Sequence, residues 1–365
     1  KKMETNSGRA NEFVDAFILD IPWDEHQNEM LELEKITKQD IIDFANANYS
    51  DNNYVVVYKR NGEDRSIPKV EKPVITPVSV NRDDQTDFLI NLSEEKVKDI
   101  EPVFLNFEED IKISSVGDVE LLYKENIENE RFRLNYVIDI GTNHDNRLKL
   151  ATDYIKFLGT YELSPAEVQQ EFYKLGCEVS FQSANDKTQL SLSGLQSNFE
   201  ASLQLFEDIL ANAKADEVAL ENLKLATIKE RNDAKLNKQT ILWSAMMNYA
   251  KHGENSAFRN KISQEELNNV TSSDLLDLIK NLTSYRHRIT YYGPQKINEV
   301  SNSLNIYHTS NIYLKQIPDG AIYEELPLDI PTVFVVDYEM QQAEILLLAK
   351  GGELNVSDIP KIKFH

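Results

Sequence analysis

Apolar positions along this chain recur in two registers, and the change of register marks its elements. Leu148, Ala151, Ile155 and Leu158 fall three or four residues apart, on one face of a helix expected to end near Gly159. Apolar, β-branched and aromatic residues over Val119–Tyr123 and Arg131–Ile140 predict two strands joined across Glu125-Asn126. A second hairpin is expected where Val179–Ser183 and Gln189–Ser193 flank Asn185-Asp186-Lys187. Ser164-Pro165-Ala166-Glu167 reads as a helix start: serine caps, proline takes the first helical position, and glutamate closes a capping box. Ser263-Gln264-Glu265-Glu266 caps another. Long helices are predicted over Phe199–Leu210, Asp216–Leu236 and Gln239–Lys251, the last closed by His252-Gly253. Hairpins and helices in mixed order, without regular strand–helix alternation, predict an α+β fold on mainly antiparallel sheets.

The pattern also repeats. Ile36-Thr37-Lys38-Gln39-Asp40-Ile41-Ile42-Asp43-Phe44 returns as Val270-Thr271-Ser272-Ser273-Asp274-Leu275-Leu276-Asp277-Leu278, and each copy precedes a β-rich run, Tyr54–Tyr58 or Arg288–Tyr292. Both pairs are shifted by the same 234 positions. Asn135–Gly141 echoes Ile345–Gly351 at a shift of 210. One structural unit of domain length accounts for this, and implies a slice of something longer. The expected organisation is the tail of one copy over 1–69, a linker over 70–101 carrying Pro73 and Pro77, and a complete copy over 102–305. A proline-rich linker over 306–330 follows, and then the head of a further copy over 331–365, with strands expected at Val333–Tyr338 and Glu344–Ala349.

Composition narrows the function. With 41% hydrophobic residues in 365, the chain can build real cores. A net charge of −22 argues against nucleic acid and anionic membranes as partners, since phosphates would be repelled. No apolar run approaches the roughly 20 residues of a membrane span, and the compartment stays open between periplasm and cytoplasm. Cys177 is the single cysteine, which excludes an internal disulfide and a cysteine-cluster metal site. The six histidines, His26, His144, His252, His287, His308 and His365, include no pair at i, i+4 that could present two imidazoles to one zinc ion. Asn143-His144-Asp145 follows Gly141 in an expected strand-to-helix turn, where such residues cap helices. Taken alone, the residues contain no complete active site, neither catalytic nor metal-binding.

Several motifs together resemble one family. A strand ending in Gly141, a helix closing in Phe157-Leu158-Gly159-Thr160 and the Leu175-Gly176 turn before a strand pair are similar to the pitrilysin/insulinase-type zinc metallopeptidases. The resemblance continues through Asn198–Leu210 and Asp216–Arg231 into the repeated tail after Thr271. In that family the helix ending in Gly-Thr carries an inverted motif, His-x-x-Glu-His, whose histidines bind zinc and whose glutamate activates water. Setting the Gly-Thr on Gly159-Thr160 puts the motif on Leu150–Tyr154: Leu150 and Tyr154 stand for the histidines, Asp153 for the glutamate. The family's further glutamate ligand, about 76 residues on, falls at Glu230. A leucine cannot ligate zinc, so the resemblance implies a copy that has lost its metal and needs no cofactor of its own.

The same resemblance implies the rest of the reading. The parent would be a zinc endopeptidase with its metal in an absent N-terminal half. This chain would be the non-catalytic half, inactive alone, closing a chamber and helping to bind peptide or unfolded polypeptide. The rival reading is a structural or interaction protein of the same fold, like the core subunits of the respiratory cytochrome bc complex.

Overall fold

A computed structural model describes residues 2–49, 54–59, 62, 70–73, 75–77, 84–99, 101–308, 313–327, 330–339, 343–351, 355 and 359. His365 lies outside them. The chain divides into two compact units, one of residues 10–105 and one of residues 1–9 with 106–365.

The smaller unit is helical. α1 (Asn6–Leu19), α2 (Trp23–Leu33), α3 (Lys38–Asn48) and α4 (Asp87–Glu94) carry most of its order. Phe13 of α1 stacks on Trp23 of α2 with ring centroids 4.2 Å apart, and His26 Nε2 lies 2.8 Å from Glu12. α3 starts at a capping box: the Thr37 hydroxyl accepts from the Asp40 N–H, and the Asp40 carboxylate accepts from the Thr37 N–H.

The larger unit is organised by one six-stranded sheet. After a short helix α5 (Phe107–Asp110) come β1 (Lys112–Val116), β2 (Val119–Glu125) and β3 (Arg131–Ile138), then α6 (Leu148–Tyr154), continued as a 3-10 turn over Ile155–Phe157. α7 (Pro165–Lys174) leads to β4 (Glu178–Ser183) and β5 (Thr188–Leu195), and these to α8 (Phe199–Asn212) and α9 (Glu217–Ala234). The segment expected as one helix after Gln239 is a π-helix over Thr240–Met246 running into α10 (Met247–His252), which Gly253 stops at φ +66°. α11 (Gln264–Asn269), α12 (Ser272–Leu282), β6 (His287–Gly293) and α13 (Ile297–Tyr307) complete it. The strand order is β1-β2-β6-β3-β5-β4, with only the β2–β6 pair parallel. The fold is therefore α+β on a mainly antiparallel sheet, as the mixed element order predicts.

Alternation decides which face of the sheet is buried. Leu134, Tyr136, Leu190, Leu192, Ile289 and Tyr291 are almost wholly buried, sharing a core with Leu203 and Phe206 of α8 and Leu275 of α12. Their neighbours in sequence form a polar face. There Gln189 donates to the Asn135 side-chain amide oxygen (3.0 Å), the Asn135 amide donates to Thr290 (2.8 Å), and Arg288 holds Asp139 through two bonds. Two glycines named by the sequence motifs are required by close approach. A Cβ on Gly141 would lie 2.3 Å from the Ala184 carbonyl oxygen, and one on Gly159 equally close to that of Leu163.

Three expected strands do not form. Tyr54–Tyr58, Val333–Tyr338 and Glu344–Ala349 join no ladder among the described residues. A β-prone run becomes a strand only where a neighbour offers its N–H and C=O groups. Val55 and Val57 instead stand 89% and 86% exposed. The repeat holds at the helix. α12 opens on Thr271 and Asp274 with the capping box that Thr37 and Asp40 give α3, and the copies part company at the strand.

Candidate functional site

The positions where the family carries its metal lie on α6, which starts after a compact turn. The Asp145 carboxylate accepts from the Arg147 N–H (2.9 Å) and grips its guanidinium, so the residues Asn143–Asp145 act as turn chemistry. His144 is occupied locally, its Nδ1 accepting from the Gly141 N–H at 3.1 Å.

Along α6 the motif positions diverge in environment. Leu150 is 6% exposed within the core. Asp153 faces outward between Lys149 (2.9 Å) and Lys156 (2.7 Å). Partial burial pushes its carboxyl up, but the two ammonium groups outweigh that and hold it below the usual carboxylate range. An ionised carboxylate clamped by two lysines is a surface ion pair, poorly placed to take a proton from a buried water.

Tyr154 is 1% exposed and fully engaged. Its hydroxyl accepts from the Asp216 N–H at 2.8 Å and donates to the Asp216 carbonyl oxygen at 2.9 Å. The Ser272 hydroxyl, 2.7 Å away, donates to it. Asp216 is the N-cap of α9, and Ser272 is the first residue of α12. One phenol oxygen thus ties together two helix N-termini. The dipoles of both helices bring positive potential there, and an N–H group presents a proton where a metal would need a lone pair. Glu217, in the first turn of α9, also reaches this junction, its carboxylate accepting from the Ser272 N–H at 3.3 Å.

Glu230 is not part of it. It sits exposed on α9, thirteen residues beyond Glu217, about 20 Å along the helix at 1.5 Å per residue. Among the described residues no group of three or more His, Cys, Asp or Glu is arranged to hold a metal ion. With Leu150 apolar, Asp153 paired, Tyr154 saturated and Glu230 elsewhere, the residues present do not fit zinc.

This helix, the glycines beside it and the hairpin that follows are what the comparisons pick out. Residues 137–260 match the family profile described as "Insulinase (Peptidase family M16)". That stretch lies within the larger unit and runs from β3 to beyond α10. The match and the fold agree with the resemblance read from Gly141, Gly159-Thr160 and Leu175-Gly176. Among solved structures, an inactive peptidase M16 domain from Pseudomonas fluorescens is similar at 16% identity and TM-score 0.49, covering 59% of this chain and 53% of that one. The periplasmic protease PqqL from Escherichia coli is 13% identical with TM-score 0.49, over 88% of this chain and 36% of its own. A mutant of the ferredoxin protease FusC, solved in complex with Arabidopsis ferredoxin, is 10% identical with TM-score 0.51, over 88% of this chain and 38% of its own. The chain thus spans about half the length of the first of these and less of the others. No curated protein matches it.

Two arrangements in the larger unit escape sequence reasoning. One is the Tyr154 junction, whose partners lie 62 and 118 positions away. The other is a buried contact between His287 and His308, whose only sequence signal is that each sits at the end of an ordered element.

Proposed function

We propose that this chain is the metal-free half of an insulinase-type zinc endopeptidase, closing a chamber and helping to bind an extended peptide. In this reading residues 1–69 end one homologous domain, 102–305 form a complete one, and 331–365 begin another, with linkers over 70–101 and 306–330. Zinc and the water-activating glutamate belong to an N-terminal catalytic half that this chain pairs with. The observation that carries the reading is the insulinase-type match across a helix with Leu150, Asp153 and Tyr154 at the motif positions. The family's framework is kept where its chemistry is not, as suits a clamp.

The polar sheet face supplies a surface of the right character. Asn135, Gln189, Ser191 and Thr290 offer amide and hydroxyl groups across three neighbouring strands, with Arg288 and Asp139 at one end. Neutral donors and acceptors suit a peptide backbone without selecting one side chain. That a similar structure was solved with a protein in complex supports polypeptide as the substrate class.

Mixing experiments test this. The chain alone should not hydrolyse a quenched fluorescent peptide, and addition of a zinc-bearing half from the same gene should produce cleavage. Absence of His-x-x-Glu-His in the sequence preceding Lys1 in that gene would favour the structural-protein reading instead.

A further inference from the structure

Four side chains from four parts of the larger unit meet where the reading above has no use for them. His287 opens β6 and is 8% exposed; His308 caps the end of α13 and is 4% exposed. Glu207 comes from α8 and Tyr136 from β3. The two Nε2 atoms lie 3.1 Å apart. Each outer nitrogen is also held: His287 Nδ1 is 2.7 Å from the Tyr285 carbonyl oxygen, and His308 Nδ1 is 2.9 Å from the Glu207 carboxylate. That carboxylate also accepts from the Tyr136 hydroxyl.

These contacts fix the protons. A carbonyl oxygen can only accept, so His287 Nδ1 carries N–H. A neutral His287 then has a bare Nε2, which the Nε2–H of His308 fills. His308 Nδ1 is held by the Glu207 carboxylate on its other side. One proton on the line between the Nε2 atoms makes the contact. Two would set N–H against N–H, with no acceptor between them.

The contact sits at the C-terminal end of α13. The His308 N–H closes α13 on the Leu304 carbonyl oxygen at 2.8 Å. A few residues on, Lys315 bridges Tyr285, accepting from the Arg286 N–H at 2.8 Å and donating to the Ser284 carbonyl oxygen at 2.9 Å. The histidine pair and this bridge therefore fasten the outgoing chain to the same short stretch, residues 284–287.

We propose that the His287–His308 pair is an acid-released latch: a second proton parts the rings and frees the end of α13 and the chain that follows it. The groups facing His287 are His308, Glu207 and Tyr136. Burial lowers the pKa of His287 most; the Tyr285 hydrogen bond raises it, the His308 charge lowers it and Glu207 raises it, leaving it at about 4. The latch is closed near neutrality and opens as the pH falls through that value. It does not depend on the peptidase reading.

Histidine ring NMR and pulsed amide exchange on the full chain, at low concentration, test it. At pH 7 His287 should be neutral with its proton on Nδ1. As its ring titrates near pH 4, exchange at His308 and Lys315, corrected for intrinsic rates, should rise at least about tenfold while Leu134 in the central strand stays protected. His287→Gln keeps an acceptor that takes no proton, and should abolish the acid step. A step unchanged in that variant overturns the latch. The ring signals of the unaltered chain decide it without any variant, since a proton on His287 Nε2 at pH 7 overturns it equally.

Discussion

Tyr154 shows how one residue can retire a metal position and serve the fold there. A histidine at this point would bring one acceptor nitrogen to a junction built from two helix N-termini, whereas the phenol oxygen both accepts and donates. Tyr154→Phe keeps the ring and removes the hydroxyl, leaving the Asp216 N–H and the Ser272 hydroxyl short of a partner in a buried place. A loss of about 1–3 kcal/mol is expected, read as a lower urea midpoint with unchanged slope. Rebuilding the motif makes a second test. Leu150→His, Asp153→Glu and Tyr154→His together should bind zinc only weakly, about 10–100-fold below a site with oriented histidines. Glu217→Gln should remove that binding and Glu230→Gln should leave it, by calorimetric titration; the reverse result would restore Glu230 as the ligand. The motif positions were legible in sequence because Gly159-Thr160 fixes them locally. The Tyr154 junction was not, because its partners Asp216 and Ser272 lie 62 and 118 positions away.

At the scale of elements, the two copies of one helix compare sequence with context directly. α3 and α12 share capping boxes and an apolar spacing, yet α12 buries Leu275, Leu276, Ile279 and Leu282, and α3 buries nothing. Leu275 is 0% exposed and its counterpart Ile41 is 61% exposed. Leu275→Ala should therefore cost about 2–5 kcal/mol, and Ile41→Ala should stay within about 0.5 kcal/mol, both by urea unfolding. Equal costs would mean that Ile41 is covered in solution. Helices, caps and the β4–β5 hairpin were readable in advance because their signals lie within a few residues of one another. The hairpin expected across Glu125-Asn126 does not form: β6, from far along the chain, lies between β2 and β3. The strand at 54–58 was over-read for a related reason: β-propensity measures fitness for a sheet, and the sheet must be supplied by distant residues.

For the whole molecule, the expected chemistry is negative and measurable. Metal analysis of the purified chain should find zinc far below one equivalent, and peptide hydrolysis should be at background. Near-stoichiometric zinc, or hydrolysis lost on Glu230→Gln, would sink the clamp reading. Among the described residues no helix is long and apolar enough to cross a membrane. The feature with the widest reach is the placement of β6. It lies at the centre of the sheet, parallel to β2 and antiparallel to β3, yet follows every other strand in sequence, so that Leu134 pairs with Tyr291. During synthesis the ribosome releases β1 and β2 as one ribbon and β3, β5 and β4 as another, with nothing to join them. The facing edges of β2 and β3 stay open until about residue 293 emerges, and such edges invite pairing with the wrong neighbour. Closure also waits on contacts far apart in the chain, which are slow to find. A nascent chain interrupted between Leu195 and Gly293 holds two loose ribbons in one polypeptide, and a cell making this protein must shelter them until the keystone arrives.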